Sequence, residues 1–407
     1  MSGETIPDRT AIPDQSRICP AKETLDRIRP LMKTFGITRL ADITGLDRIG
    51  LPVMLAVRPN ARSISVSQGK GITQEHASAS ALMEAIEIWH AENVTKPVLY
   101  ASVADLKSSG FSFAELDRLP ATPAGQVPAN MRLHWIMAKD LMDGQEKLVP
   151  FEMVHADYTH PVASDAGLFP ASTNGLASGN HILEAIAHAI CEVIERDALS
   201  VWHHQPDQLK AATQTDPDTI ADTGIRGSIA RFEQAGMEVR LWDITSDIRV
   251  PSWMCLILDR NDPGAHPGLG SGTHCDPITA LHRALNEAAQ TRLNYISGAR
   301  EDLTEDEFSD NGRAARWMAF KGLPASTGAM RIFDAAMGFR ADALEATVNW
   351  LKQQLGVAGI REIAVVDLSR KEYGIPVVRV IIPGLEAPHD DDLYVPGERA
   401  LSARGAA

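Results

Sequence analysis

The sequence repeats one arrangement of polar residues three times, each time within a stretch that is otherwise apolar and rich in alanine. In each repeat a polar residue is followed by Glu four positions later and by Glu or Gln three positions after that. The three sets are Ser80–Glu84–Glu87, His188–Glu192–Glu195 and Arg283–Glu287–Gln290. Residues at i, i+4 and i+7 lie on one face of a helix. Each set is therefore predicted to form a polar stripe along one helix.

A single stripe of this kind is most often a solvent-exposed helix face. Three of them favour another interpretation, because carboxylates that converge from separate helices repel one another unless cations lie between them. Mg²⁺ suits such a site, since it is a hard cation that prefers carboxylate oxygen and often bridges to phosphate. The pattern therefore predicts magnesium–nucleotide chemistry.

Each stripe follows a glycine-rich segment: SQGKG, STNGLASGN and GSGTHCDP. We predict that these segments are loops whose backbone N–H groups bind anions at the N-termini of the helices. The GKG run at 69–71 lacks the spacing of a P-loop, so a Walker-type NTPase is not supported. Lys70 is interpreted equally well as a phosphate contact or as an exposed loop lysine.

Composition limits the class of protein. The chain has 407 residues, 44% hydrophobic and 23% charged, with a net charge of −14, as expected for a globular protein of one large or two to three ordinary domains. The acidic balance argues against a general nucleic-acid binder. The sequence shows no apolar h-region at its N-terminus and no run of about 18 apolar residues, so neither a signal peptide nor a membrane span is predicted. Four scattered cysteines fit a reducing compartment, and we predict a cytoplasmic protein.

Helical and strand patterns alternate irregularly along the chain. We predict helices at residues 23–36, 73–93, 181–204, 278–296 and 341–356, and strands at 51–59, 62–68, 133–141, 147–155, 252–260, 362–369 and 377–382. Residues 229–245 read as a helix followed by a strand. Because strict βα alternation is missing, the predicted fold class is α+β, with mixed sheets packed against helices.

Three long blocks resemble the signature blocks of YcaO-domain proteins. They are SQGKGITQEHASASALMEAIE, STNGLASGNHILEAIAHAICEVIERDA and GSGTHCDPITALHRALNEAAQTR. GITRLADITGLDRIGLPVMLAVRP and GIPVVRVIIPGLE are similar to the same family, so the resemblance covers roughly residues 20–390. It implies a YcaO domain at 19–390 with its ATP- and Mg²⁺-binding core in blocks 65–95, 172–204 and 268–302. Composition predicts a flexible arm at the polar, proline-containing residues 1–18 and a polar tail at 391–407.

The resemblance also implies roles for individual residues. ATP contacts are expected from Ser80, Asn180, Arg196 and Arg283, with Lys70 added from the pattern above. Metal ligands are expected from six glutamates: Glu84, Glu87, Glu184, Glu192, Glu195 and Glu287. Gln290 and Arg292 would support them. Ile88 departs from the family, where many members have Arg, and no catalytic residue is assigned.

YcaO enzymes use ATP to phosphorylate the oxygen of a peptide backbone amide after a nucleophile has added to the carbonyl. The chain lacks the Pro-rich C-terminal run that is common in azoline-forming relatives, its last proline being Pro396. It is more similar to stand-alone members encoded beside a TfuA partner, which are associated with thioamide formation. The implied activity is thioamidation of a precursor peptide or protein with a sulfide source and a TfuA-like partner.

Three alternatives stay open from the sequence. The first is an azoline-forming cyclodehydratase that acts on Cys, Ser or Thr. The second is a non-catalytic nucleotide-binding regulatory or scaffold protein, against which the complete set of glutamates and arginines argues. The third is a metal-dependent hydrolase, which would act without ATP. The oligomeric state, a homodimer included, is also left open.

Overall fold

Antiparallel pairing organises every strand that the computed structural model describes, in residues 17–405 without 162, 164–165, 263, 342 and 390–392. Within that part of the chain the strands are β1 Arg39–Asp42, β2 Val53–Val57, β3 Val66–Lys70, β4 Val98–Ser102, β5 Arg132–Asp140, β6 Glu146–Pro150, β7 Leu176–Ser178, β8 Gln214–Thr215, β9 Met237–Asp243, β10 Ser252–Asp259, β11 Gly268–Thr273, β12 Ala364–Asp367 and β13 Val377–Ile381. They form three sheets, in the orders β1-β2-β3, β11-β10-β9-β8 and β4-β5-β12-β13-β7, with β6 paired to β5.

Helices lie between these strands in irregular order. The α-helices of the described residues are α1 Ala21–Ile28, α2 Gln74–Glu92, α3 Val103–Ser108, α4 Ile182–His204, α5 Asp207–Ala211, α6 Thr223–Gln234, α7 Pro277–Ser297, α8 Glu305–Phe308, α9 Asp310–Lys321, α10 Leu344–Val357 and α11 Glu398–Arg404. The mixture of helices and antiparallel sheets confirms the predicted α+β class. No described helix is long and apolar enough to cross a membrane.

The chain divides into two units. The first takes in the described residues of Met1–Pro20, Ile86–His204 and Arg340–Ala406, and the second those of Ala21–Ala85 and Gln205–Phe339. The six-stranded sheet and α4 belong to the first unit. The other two sheets and α7 belong to the second. The predicted arm at 1–18 lies outside the described residues except for positions 17 and 18.

In the first unit, α4 is the central helix. It packs against β7, β13, α10 and α11. Fourteen of its 23 residues are buried, which explains why so few polar residues occur in its sequence. Its buried set includes three acids: Glu184, Glu195 and Asp197.

In the second unit, α7 lies across β11 and β10. The core beneath it contains the fully buried side chains of Phe232, Leu241 and Ile257, together with Leu281 and Leu285 of the helix itself. Apolar residues at 281, 284, 285 and 288 form one face of α7, as the 3.6-residue period requires. Arg283 and Glu287 lie outside this apolar face, and both bond to β11: Arg283 donates to the Thr273 oxygen and Glu287 accepts from the Ser271 amide.

Glycines allow α7 to approach β11 closely. A Cβ atom at Gly270 would lie 2.2 Å from the Ala288 nitrogen and 2.4 Å from the Ala284 oxygen, and one at Gly272 would lie 2.2 Å from the Ala280 oxygen. Gly69 of β3 is similar, with a Cβ position 2.0 Å from the Ala77 oxygen. The prediction of loops is wrong at these three glycines, because they lie in strands and serve helix–strand packing.

Several local boundaries differ from the predicted ones, among them those of the strands predicted at 62–68 and 147–155, which are β3 and β6. Two further differences concern the first helix and the tail. The helix predicted at 23–36 ends at Ile28 and continues as a 3-10 turn, Arg29–Leu31, since Pro30 cannot donate the backbone hydrogen bond that an α-helix needs. The predicted polar tail contains α11, which starts two residues after Pro396 and buries Ala400 and Ala403.

Replacing Gly270 by Ala should destabilise the protein, because the added methyl group meets backbone atoms of α7 that cannot move aside. We expect the free energy of unfolding to fall by about 1–3 kcal/mol, as for an overpacked core, measured by urea denaturation. The matched control is Gly227→Ala in α6, where nothing lies within 4 Å of the new Cβ and a gain of about 0.5–1 kcal/mol is expected from helix propensity. Equal effects of the two substitutions would contradict the packing role.

Candidate functional site

Glu184, in the first turn of α4, is buried and held by four donors. It is 3% exposed. Arg17 Nη1 donates to its Oε1 at 2.9 Å and the Ile18 amide to its Oε2 at 3.1 Å. The amide and side-chain nitrogens of Asn180 donate to Oε1 at 3.3 and 3.4 Å. The carboxylate thus joins Asn180, predicted as an ATP contact, to the start of the helix.

Glu192, Glu195 and Arg196 follow two turns later on α4. Glu192 retains partial exposure as a residue, but desolvation of its carboxyl group raises its pKa to about 7. Arg196 and Arg379 oppose this rise, and the charge of Glu195 adds to it. Glu195 is 8% exposed. Glu192 and Glu195 thus lie one turn apart on α4, and the carboxyl group of Glu192 is poorly hydrated.

Glu87, near the end of α2, is fixed by the strand that precedes α4. The Ser178 amide and hydroxyl both donate to Glu87 Oε1, at 2.8 and 2.6 Å. Ser178 is the last residue of β7 and is 2% exposed. The hydrogen bonds leave the orientation of this carboxylate well defined.

In the second unit, Glu287 of α7 is the centre of a smaller cluster. It forms an ion pair with Lys70, the last residue of β3. The Ser271 amide and hydroxyl donate to Glu287 Oε1 at 3.4 and 3.3 Å. Lys70 is thus neither a lysine of an isolated surface loop nor a residue of a glycine loop; it lies next to a predicted metal ligand.

Arg283, Ser80 and Glu84 are the remaining predicted contacts in the second unit. Arg283 Nη1 donates to the Thr273 oxygen at 3.1 Å. Ser80 and Glu84 are one turn apart on α2 and partly buried. The side-chain hydrogen bond with Asp302 raises the pKa of Arg300, and the charge of Glu84 contributes to the same rise.

Glu192 and Glu195, two of the predicted metal ligands, lie one turn apart on α4. In the part of the chain that the structure describes, no group of three or more His, Cys, Asp or Glu side chains has the geometry of a complete metal site. Mg²⁺ usually keeps several waters and takes only one or two carboxylates from the protein. Desolvation is the main cause of the raised pKa of Glu192, and the charge of Glu195 adds to it.

Asp197, the fourth acid of α4, is buried but forms an ion pair with an arginine. It is completely buried, and Arg399 of α11 donates to its two oxygens at 2.8 and 2.9 Å. The Glu386 amide donates a third hydrogen bond at 3.1 Å. Burial raises the pKa of Asp197 to about 6, against the effect of Arg399. The acid anchors the C-terminal helix.

Several residues that matter here were not predicted. Arg17, Ser178 and Arg399 carry no local signal, since each acts on an acid far along the chain. Arg379 did have one, as the single charged residue of the apolar run VVRVII. Arg292, suggested as a support, instead donates to Asp47 at 2.8 Å and to the His266 oxygen, so its role is structural.

Comparisons with known proteins identify the family. The family model described as YcaO cyclodehydratase, ATP- and Mg²⁺-binding, matches residues 68–386. The chain belongs to the YcaO family. An uncharacterized protein encoded in the tfuA 3′ region of Rhizobium leguminosarum bv. trifolii is 34% identical over 96% of this chain and 93% of its own length. The family resemblance and the predicted cofactors, ATP and Mg²⁺, are thereby confirmed at the level of the family.

Solved YcaO-type structures share the fold. The YcaO protein from Methanopyrus kandleri, bound with AMPPCP and Mg²⁺, superposes with a TM-score of 0.71 at 23% identity and covers 94% of this chain and 96% of that one. A heterocyclase in complex with substrate and cofactor gives 0.78 at 20% identity over 95% of this chain. This chain spans about half, 54%, of that heterocyclase.

Replacing Glu192 by Gln should stabilise the protein at pH 8 without metal. A carboxyl whose pKa is raised on folding favours the folded state below its unfolded pKa, and this advantage is lost as the pH rises through about 7. We expect a gain of roughly 1–2 kcal/mol over wild type at pH 8 in EDTA that vanishes near pH 4, measured by urea denaturation. A gain of equal size at both pH values would contradict the desolvated carboxylate.

Replacing Arg399 by Met should leave Asp197 buried and unpaired. We expect a loss of about 3 kcal/mol in the free energy of unfolding at pH 8. The loss should shrink towards pH 4, because the unpaired carboxyl can take up a proton. Arg404→Met on the same helix, where the arginine is exposed, is the control. A loss independent of pH would show that Arg399 acts through packing alone.

Proposed function

We propose that this YcaO protein uses ATP to activate a peptide backbone amide and replaces the amide oxygen by sulfur. The substrate is a precursor peptide or protein, the sulfur comes from a sulfide source, and a TfuA-like protein assists. The predicted ATP and metal contacts are part of this proposal.

The chemistry explains why acids and arginines are needed together. Amide oxygen is a poor leaving group, and its phosphorylation turns it into a good one. Phosphoryl transfer depends mainly on positioning and on neutralising charge that develops on the phosphate oxygens. Bound Mg²⁺ supplies part of this neutralisation. The protein must therefore offer carboxylates to the metal and cations to the phosphates.

The residues divide along these lines. Glu192 and Glu195 of α4 are proposed as metal ligands, as are Glu84, Glu87, Glu184 and Glu287. Arg196, one turn from Glu192, is proposed to contact phosphate. Lys70, Ser80, Asn180 and Arg283 are proposed as the further ATP contacts. The ion pair between Lys70 and Glu287 brings together the two kinds of charge that a metal–triphosphate complex engages.

The observation that carries the proposal is the state of Glu192. A carboxyl group with a pKa of about 7 next to a second buried carboxyl is unfavourable by itself. Its neighbour Asp197 is matched by Arg399 of α11, whereas Arg196, Arg379 and a backbone hydrogen bond from Gly175 offset only part of the desolvation of Glu192. Such perturbed groups cluster at functional sites. The YcaO family is described as ATP- and Mg²⁺-binding. A bound Mg²⁺ would therefore account for the carboxyl groups of Glu192 and Glu195.

The choice of thioamide rests on relatives. The similar Rhizobium protein lies in a tfuA region, and YcaO proteins of the TfuA-associated type are linked to thioamide formation. The family description names cyclodehydration, which favours azoline formation from Cys, Ser or Thr as the second candidate.

Mass spectrometry separates these reactions. The full-length protein is incubated with ATP, Mg²⁺, sulfide, the TfuA-like protein of its own source and a candidate precursor peptide. We expect a mass gain equal to the exchange of oxygen for sulfur, dependent on ATP. Loss of one water from a Cys-containing peptide would instead identify azoline formation, and modification without ATP would contradict both.

Glu192→Ala should lower this turnover at least about 100-fold, because a charge-stabilising group of the transition state is lost. Glu233→Ala is the control, since this glutamate is exposed on α6 and has no role in the proposal. Unchanged turnover in Glu192→Ala would remove the metal assignment, whereas absence of any product in wild type would remove the proposed reaction.

A further inference from the structure

A small cavity in the first unit contains an arginine that has no counter-charge in contact. The cavity has a volume of about 30 Å³. Its polar lining consists of Ser172, Asn174, Arg379 and Glu386, and its apolar lining includes Val193 of α4. None of these residues has been assigned to ATP or to the metal.

Arg379, in the middle of β13, is 3% exposed. Its Nη2 donates to the Ser172 oxygen at 2.7 Å. Its buried Nε and Nη1 have no hydrogen-bond partner among the described residues, and no carboxylate of these residues forms an ion pair with it. Burial lowers its pKa, and Glu192 is the carboxylate that acts against this at longer range. A buried guanidinium in this condition is unfavourable unless an acceptor occupies the space beside it.

The polar groups that line the cavity beside Arg379 do not supply the missing acceptor. The Glu386 carboxylate is already occupied by the Tyr394 hydroxyl and by the amides of Gly397 and Ala400, at 2.8 to 2.9 Å. The buried side-chain oxygen of Asn174 has no donor among the described residues. A ligand that accepts from Arg379 and carries one hydrogen to offer to Asn174 would satisfy both.

The volume of the cavity and the positive charge of Arg379 indicate which kind of ligand fits there. A water needs roughly 10–15 Å³ of such space, so a ligand of one or two non-hydrogen atoms fits beside Arg379. Arginine is weakly hydrated for a cation and suits a weakly hydrated anion. The apolar walls favour such an anion as well. Hydrosulfide, HS⁻, is a monoanion of one heavy atom with one hydrogen.

We infer that the cavity at Arg379 binds a small inorganic monoanion and, resting on the proposed thioamidation, that this anion is hydrosulfide, the sulfur substrate. Arg379 holds the sulfur and Asn174 accepts its hydrogen. The overall step balances: amide, HS⁻ and ATP give thioamide, ADP and hydrogen phosphate. A carbon–sulfur bond forms, the carbon–oxygen bond breaks with the oxygen leaving on phosphate, and the hydrogen of HS⁻ ends on that phosphate.

Bromide, close to HS⁻ in size and charge, tests binding without any turnover. Crystals of the full-length protein soaked in bromide should show an anomalous scattering peak beside Arg379. The peak should disappear in Asn174→Asp, whose added carboxylate repels an anion with little change in volume, and in Arg379→Gln. Water alone beside Arg379 in wild-type crystals would overturn the inference.

Kinetics test the sulfur assignment. In the peptide assay, Asn174→Asp should raise the KM for sulfide at least about tenfold while the KM for ATP stays within twofold. Arg132→Gln, which changes a largely exposed arginine of β5 in the same unit, should leave both constants unchanged. Thermal unfolding checks that each variant is folded. If Arg379→Gln does not fold, Asn174→Asp alone provides the test.

The outcomes separate the two hypotheses. Bromide bound in wild type with an unchanged KM for sulfide in Asn174→Asp overturns hydrosulfide as the ligand. A wild type that forms no thioamide removes the proposed reaction and hydrosulfide with it, while the bromide result still decides whether Arg379 binds a monoanion. An equal rise in the KM values for sulfide and ATP would place the effect in the ATP contacts and overturn the sulfur site.

Discussion

A charge that leaves water on folding must meet a proton, an opposite charge or several hydrogen-bond partners, and α4 is organised by this constraint. Its acids meet it in different ways. Arg17 and local amide donors satisfy Glu184, and Arg399 satisfies Asp197. Glu192 receives only partial compensation and keeps a raised pKa. The difference between satisfied and unsatisfied acids on one helix separates structure from proposed chemistry.

The same reasoning applies to buried cations. Arg292 is 4% exposed and donates to Asp47 within the second unit, so it has no charge left to offer a ligand. Arg379 is equally buried but, among the residues that the structure describes, donates only to the carbonyl of Ser172. Two arginines of nearly equal exposure thus have different roles, and only their hydrogen-bond partners distinguish these roles.

Arg283 and Glu287 of α7 hydrogen-bond to β11, and these contacts require a helix that lies very close to its sheet. Alanines on α7 and glycines on β11 create that approach, since a side chain at Gly270 or Gly272 would overlap the helix backbone. The glycines therefore act on the site indirectly. Their spacing along the sequence also resembles that of an anion-binding loop, which is why composition alone gives the wrong reading. A sequence does not distinguish a glycine that is required for its backbone conformation from one that is required because a Cβ atom would not fit.

The sequence by itself determined the helices that carry the acids, the α+β class and the family. The predicted boundaries of the helix at 181–204 and of the helix at 278–296 agree with α4 and α7 to within one residue, because the apolar period and the capping signals are local. Only the tertiary structure decided which acids are neutralised. Arg399 and Asp197 are 202 positions apart, and Arg379 meets its cavity through the pairing of β13 with β7. Such partners are distant in sequence and meet only in the tertiary structure, so local sequence patterns do not predict them.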